Sequence, residues 1–66
     1  MLLDPKWVNR YLGTAFAEAE MRETLVRVGC TLSESSGNWK VKTPTFRNDL
    51  TIREDLAEEV ARLLGY

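Results

Sequence analysis

The chain has 66 residues, of which 44% are hydrophobic and 29% are charged, and its formal net charge is −1 at pH 7. This length predicts a single domain, because so short a chain buries only about 60% of its unfolded surface. The absence of histidine and the presence of one cysteine, Cys30, exclude an internal disulfide, histidine-based catalysis and the histidine- or cysteine-rich metal sites. The weakly acidic charge also differs from the basic excess of typical nucleic-acid-binding domains.

No signal peptide is expected, because Met1-Leu2-Leu3 is followed at once by Asp4-Pro5-Lys6. No apolar run approaches the length of a membrane span. We therefore expect a soluble, cytoplasmic domain without membrane contact. Both ends stop close to secondary structure, which predicts a module of a longer protein. Cys30 is expected to be a small buried apolar residue.

The first helix is predicted to begin at Pro5, with Asp4 as its N-cap, and to end at Gly13. Its apolar face, at i, i+1, i+4 and i+5, consists of Trp7, Val8, Tyr11 and Leu12. Trp7 and Tyr11 allow two interpretations, which are packing in the core and stacking on bases of single-stranded nucleic acid. Core packing is the interpretation that we adopt.

A second helix is predicted from about residue 17 to residue 28, and Gly29 ends it. Its buried stripe is expected to contain Met21, Thr24, Leu25 and Val28. Glu23 and Arg27 are spaced as a favourable i,i+4 ion pair. Ala17 is a poor helix cap, so the start of this helix is expected either to fray or to lie earlier, at Thr14.

A β-hairpin follows, with a first strand over Cys30–Ser33 and a turn at 35–38, where the sequence reads S-S-G-N. The second strand has the period-2 pattern of a half-exposed strand, with Trp39, Val41 and Thr43 on one face and Lys40 and Lys42 on the other. Pro44 ends it, because proline has no amide hydrogen for the ladder.

The hairpin and the loop after it hold the only basic cluster, which consists of Lys40, Lys42 and Arg47. In a helix–helix–hairpin arrangement, these side chains could form the wing of a nucleic-acid-binding module. The alternative is that the two lysines keep an exposed strand soluble and protect its edge.

The last third of the chain predicts a third, amphipathic helix. Thr51 followed by Glu54 has the spacing of a capping box, and Gly65 occupies the position of a C-terminal cap. The apolar stripe recurs about every 3.6 residues and is expected to contain Ile52, Leu56, Val60, Leu63 and Leu64.

A second face of this helix carries Asp55, Glu58, Glu59 and Arg62, with Asp49 in the preceding loop. One interpretation is a solvated surface, in which Glu58 and Arg62 form an i,i+4 pair. The other is a site for Mg²⁺, which prefers oxygen ligands and keeps several waters. Asp55 and Glu59 are like charges at i,i+4 and repel each other without a cation.

The sequence contains no nucleophile–base pair and no glycine-rich phosphate loop. Asp55 and Glu59 could be proposed as paired carboxylates for hydrolysis. A surface helix on so small a scaffold gives no pocket to adjust their pKa values. We therefore expect the isolated chain not to be catalytic.

The sequence resembles the end of the B-five domain in the beta subunit of bacterial-type phenylalanyl-tRNA synthetase. The strongest match lies in P-T-F-R-N-D-L at 44–50 and E-D-L-A-E-E-V-A-R-L-L-G-Y at 54–66. Upstream, W-V-N-R-Y-L-G at 7–13 and R-V-G-C at 27–30 agree with it. The resemblance covers nearly all of the chain.

The resemblance implies a small α+β domain of winged-helix-like shape, with three helices and a hairpin. The parent enzyme would be a heterotetramer of two alpha and two beta subunits that uses ATP to join phenylalanine to its tRNA, with its catalytic centre in the alpha subunit. It further implies a magnesium ion shared with the alpha subunit and held by Asp49, Asp55, Glu58 and Glu59. Arg47 and Glu54 match the same motif and are interpreted as structural.

Two features depart from the family pattern. Ala17 stands where a serine or threonine cap is common. Asp4-Pro5 replaces an extended entry, so a first strand over Met1–Leu3 is expected to be lost or displaced.

Overall fold

The computed structural model of the chain describes residues 1–65. Its elements in chain order are β1 (Leu2–Leu3), α1 (Pro5–Leu12), α2 (Glu18–Arg27), β2 (Thr31–Ser35), β3 (Asn38–Lys42) and α3 (Arg53–Leu64). The strands form one antiparallel sheet in the order β1-β3-β2. The predicted α+β class, with three helices and a hairpin, is confirmed. Within residues 1–65, no helix combines the length and the apolar composition needed to cross a bilayer.

The sheet contains a short first strand that the sequence analysis expected to be lost or displaced. Leu2 pairs with Lys40 and Leu3 pairs with Trp39. The terminal ammonium of Met1 also donates to the Val41 carbonyl at 3.1 Å. That expectation was wrong. The helix signal at Asp4-Pro5 leaves the preceding Leu2 and Leu3 available to pair with β3, and burial of Leu3 stabilises this pairing.

Helix α1 begins and ends at the predicted residues. The Asp4 carboxylate accepts a hydrogen bond from the Lys6 amide at 2.9 Å, and Gly13 closes the helix in the left-handed conformation, with a φ of 69°. Val8 and Leu12 are buried, and Trp7 packs partly against the core. Core packing was wrong for Tyr11, whose 46% exposure leaves it at the surface.

Helix α2 starts at Glu18 after Ala17, which makes no side-chain capping bond, as the sequence predicted. Its buried residues are Met21, Thr24 and Leu25, while Val28 packs against the core from the end of the helix. Glu23 and Arg27 form the predicted ion pair at 2.7 Å.

The hairpin turns through two residues, Ser36 and Gly37, which both have positive φ values of 52° and 83°. This geometry suits the twist of paired strands. It leaves Ser35 and Asn38 paired, so strand β2 runs over Thr31–Ser35 rather than the predicted Cys30–Ser33. In β3, the predicted alternation is confirmed for four residues, since Trp39 and Val41 are buried and both lysines are exposed. Thr43, predicted as the last residue of this strand, lies outside it.

Helix α3 packs against α1 and α2, but its buried stripe differs from the prediction. Ile52 and Leu63 are exposed. Ala57 and Ala61 are buried in the stripe beside Leu56 and Val60. Small side chains at these positions allow the backbones of neighbouring helices to approach closely. The prediction from periodicity was wrong here because it counted only the large apolar residues.

The core lies between the inner face of the sheet and the three helices. Cys30 is buried and is a free thiol, as predicted. The buried hydrophobic residues are Leu3, Val8, Leu12, Met21, Leu25, Cys30, Trp39, Val41, Leu50, Leu56, Ala57, Val60 and Ala61.

Candidate functional site

A shallow depression of about 260 Å³ lies where the loop after β3 meets helix α3. It is lined by Asp49, Leu50, Asp55, Glu58, Glu59 and Arg62. All four carboxylates that the sequence singled out therefore face one surface feature, which we call the acidic depression.

The loop that carries Asp49 is held in place by its own backbone and by one apolar anchor. The Arg47 amide donates to the Pro44 carbonyl at 3.1 Å, and the Leu50 amide donates to the Arg47 carbonyl at 3.3 Å. Leu50 is buried in the core. These two turns and the anchor place Asp49 beside α3.

Arg47 connects two of the four carboxylates. Its Nε and Nη2 atoms donate to the two carboxylate oxygens of Asp49 at 3.1 and 3.0 Å. The same Nη2 lies 3.1 Å from Oε1 of Glu59. This two-point arrangement matches the planar guanidinium to a carboxylate, so Arg47 ties the loop to α3.

Glu59 is the most buried of the four acids, with a side chain that is 8% exposed. Its Oε2 accepts a hydrogen bond from Arg62, one helical turn along. The predicted Glu58–Arg62 pair was therefore wrong. Arg62 turns instead to Glu59, whose side chain is buried although that of Arg62 is 63% exposed.

The arginines shift the protonation equilibria of this cluster. Burial by itself would raise the pKa of Glu59, but Arg62 and Arg47 outweigh it and lower that pKa. The hydrogen bonds from Arg47 lower the pKa of Asp49. The hydrogen bonds that Arg47 donates to Asp49 and, with a smaller effect, to Glu59 raise the pKa of Arg47. All three groups are thus held in their charged forms at neutral pH.

Asp55 has a structural task that spacing did not reveal. Its Oδ2 accepts hydrogen bonds from the Thr51 amide, the Thr51 hydroxyl and the Ile52 amide, at 3.0 to 3.1 Å. Bonding to the two amides lowers the pKa of Asp55. The predicted Thr51–Glu54 capping box was wrong because the helix starts one residue later, which puts Asp55 at the third position.

Glu58 is positioned by helix α1. The Tyr11 hydroxyl donates to Oε2 of Glu58 at 3.3 Å. The Tyr11 ring stacks on Trp7 with centroids 4.9 Å apart, and the Arg53 guanidinium lies 4.1 Å from the Trp7 ring centroid. This link between α1 and α3 is not predicted by the sequence. The Trp7–Tyr11 spacing of four residues was a signal for the stacking but not for the contact with α3.

Comparison with known proteins identifies the family. A protein-family model described as the tRNA synthetase B5 domain matches residues 1–66. The chain belongs to the tRNA synthetase B5 domain family.

The curated relatives of this B5 domain include phenylalanine–tRNA ligase beta subunits. The one from Clostridium acetobutylicum is 44% identical over 64 residues, which is 97% of this chain and 8% of the relative. The one from Deinococcus radiodurans is 46% identical over 59 residues, or 89% of this chain and 7% of the relative. The B5 domain thus spans less than a tenth of the length of these relatives.

The acidic depression fits a magnesium ion in its donor chemistry, because all four side chains offer carboxylate oxygens. Its arrangement does not form a coordination shell. Among residues 1–65, no three acidic, histidine or cysteine side chains are grouped so that they could hold a metal ion. Asp49 and Glu59 are bonded to arginine through both of their oxygens, while Asp55 and Glu58 each use only one.

The three basic residues proposed for a nucleic-acid wing have different surroundings. Lys40 and Lys42 are exposed on the outer face of β3. Arg47 is only 22% exposed and is paired with Asp49 and Glu59. The charge of Arg47 is therefore compensated by two of the acids that line the acidic depression.

Proposed function

We propose that this B5 domain is a non-catalytic part of a phenylalanine–tRNA ligase beta subunit. The parent enzyme would join phenylalanine to its tRNA with ATP, in the cytoplasm, and its alpha subunit would hold the catalytic centre. The match of the family model to the whole chain carries this proposal, and the beta-subunit relatives support it. The domain would contact tRNA only through the assembly of the parent enzyme.

We further propose that the acidic depression meets the alpha subunit and that a magnesium ion is held there by Asp49, Asp55, Glu58 and Glu59. A bound cation would neutralise carboxylates at a contact between subunits, so its role would be electrostatic and structural. In support, the depression is open, and one oxygen each of Asp55 and Glu58 accepts no hydrogen bond from residues 1–65. The partner and water would complete the shell, since magnesium requires near-octahedral geometry.

Replacement of Glu58→Gln together with Glu59→Gln in the assembled enzyme tests this proposal. We expect weaker association of the alpha and beta subunits and a smaller effect of magnesium on it, measured by analytical ultracentrifugation at several magnesium concentrations. The matched control is Glu18→Gln with Glu20→Gln on α2, which removes two acids outside the depression.

Because Glu59 also binds Arg47 and Arg62, the melting temperature of each variant is measured alongside association. Glu58→Gln alone leaves those ion pairs intact and should retain part of the effect. Subunit association and magnesium dependence equal to those of the control would contradict the proposal.

A further inference from the structure

Phe46 is the most exposed large hydrophobic residue among residues 1–65, with an exposed fraction of 75%. It lies in the loop between β3 and α3, which also carries Asp49 of the acidic depression. We propose that Phe46 is an apolar anchor that inserts into a hydrophobic pocket of the alpha subunit. This inference rests on the proposed contact between the depression and the alpha subunit, and it does not depend on magnesium.

The backbone on both sides of Phe46 is held in place. The Arg47 amide donates to the Pro44 carbonyl at 3.1 Å, which makes Thr45 and Phe46 the central residues of a turn. Directly after this turn, the Arg47 guanidinium donates to both carboxylate oxygens of Asp49. Phe46 therefore has little backbone freedom to lose when a partner binds, and this lowers the entropic cost of binding.

The ring of Phe46 packs beside the junction of α2 and β2, which supports it on one side. Its Cζ atom lies 3.5 Å from the position that a Cβ atom would take at Gly29, and Pro44 Cγ lies 3.2 Å from the same point. Gly29 has a φ of 96°, so a residue with a side chain there would be both strained and crowded. Despite this support, most of the apolar ring remains in water, and burial against a partner would be favourable.

The acidic depression by itself offers a partner mainly charged groups. Leu50 is the apolar residue of its lining, and Leu50 is only 3% exposed. Charged contacts contribute to the specificity and rate of association more than to affinity. Stable interfaces combine a polar rim with a buried apolar centre that is enriched in aromatic residues. Phe46 supplies the apolar surface that the depression lacks.

Phe46 is close enough to the depression to share its interface. The chain from Phe46 to Asp49 spans at most about 11 Å, even when it is fully extended. A standard interface buries about 800 Å² on each partner, which is a patch with a radius of roughly 16 Å. A partner surface of that size centred on Asp49 would therefore extend as far as Phe46.

The alternative occupant is another part of the beta subunit. The domain spans 8% of the Clostridium acetobutylicum relative, so a parent chain of that length has further surface that could cover the ring. We choose the alpha subunit because Phe46 and Asp49 belong to one loop that turns and ion pairs hold in place. Packing of Phe46 against the beta subunit is a separate outcome of the test.

The test compares Phe46→Ala with Leu2→Ala in the assembled enzyme at one fixed magnesium concentration. Leu2 is the matched control, because it is also a large hydrophobic residue, 58% exposed, but lies on β1. Analytical ultracentrifugation over a dilution series gives the affinity between the alpha and beta subunits. We expect Phe46→Ala to weaken this affinity roughly thirtyfold, as is typical of an interface hot spot. Leu2→Ala should leave it unchanged.

An affinity of Phe46→Ala equal to that of Leu2→Ala would overturn the inference. A lower melting temperature of the beta subunit alone, with unchanged affinity for the alpha subunit, would also overturn it, because Phe46 would then pack against the beta subunit. The experiment with Glu58→Gln and Glu59→Gln decides the contact at the depression separately, since those changes leave Phe46 in place.

The melting temperature of the 66-residue chain shows whether Phe46→Ala acts through the fold of the domain. We expect almost no change, because most of the ring is exposed. If Phe46→Ala does not fold, Phe46→Gln is the second variant, since glutamine keeps a long side chain but loses free energy when an apolar pocket desolvates its amide. An affinity of Phe46→Gln equal to the native value would overturn the inference.

Discussion

The acidic depression and the outer face of the sheet both carry several charges, but they hold them in different ways. On the sheet, Lys40 and Lys42 are exposed, and neither forms an ion pair with another of residues 1–65. At the depression, Arg47 links Asp49 to Glu59, two of the acids that line it. Exposed charges without a partner act independently, whereas charges that share one hydrogen-bonding partner are coupled, so that a change in one affects the others.

The largest effect is expected from Glu59→Ala. The change removes a nearly buried carboxylate that two guanidinium groups contact, and hydrogen bonds to charged groups each contribute about 1.5–3 kcal/mol. We expect the free energy of unfolding to fall by about 2–3 kcal/mol, measured by urea denaturation. Glu34→Ala is the control, because its partner Arg22 lies at the surface.

Exposed ion pairs contribute at most about 1 kcal/mol, so Glu34→Ala should have little effect. Equal losses of unfolding free energy in the two variants would mean that the ion pairs of Glu59 stabilise the domain no more than an exposed ion pair does.

Lowering the pH is expected to have a smaller effect on stability. The pKa values of Asp49, Asp55 and Glu59 are all lowered in the folded chain. Their stabilising contributions are therefore fully present above the unfolded pKa values, near 4, and are lost as the pH falls through the lower folded values. The melting temperature should stay level from pH 7 to about pH 5 and then decline.

The same scan on Arg47→Gln should show a shallower decline, because Asp49 and Glu59 lose their shared partner. A melting temperature that rises on acidification would indicate that repulsion among the carboxylates outweighs their bonds to arginine.

The smallest effect is expected from the double variant Lys40→Gln with Lys42→Gln. Neither lysine has a charged partner among residues 1–65, so the free energy of unfolding should change by no more than about 0.5 kcal/mol. We also expect the native chain to show no binding to duplex DNA or tRNA at low salt, measured by fluorescence anisotropy. Salt-sensitive binding that the double variant lost would instead favour a nucleic-acid wing on the sheet.

The features that depend on neighbours along the chain follow from the sequence alone. Asp4 and Pro5 started α1 at the predicted place, since the cap bond spans only two residues. Gly65 has the left-handed φ, 82°, of a helix end. Alternation in β3 separated its buried from its exposed residues. The spacing of Asp55, Glu58 and Glu59 put three acids on one face of α3, since a helix repeats every 3.6 residues.

The partners that these groups take depend on how the elements pack in three dimensions. Glu58 binds Tyr11, which is 47 positions away, and Leu3 pairs with Trp39 across the sheet. Arg47 had the lysines of the hairpin as its neighbours in sequence, but the turn that buries Leu50 directs it to Glu59. Such choices depend on loop geometry and on distances between elements, and neither periodicity nor composition contains that information.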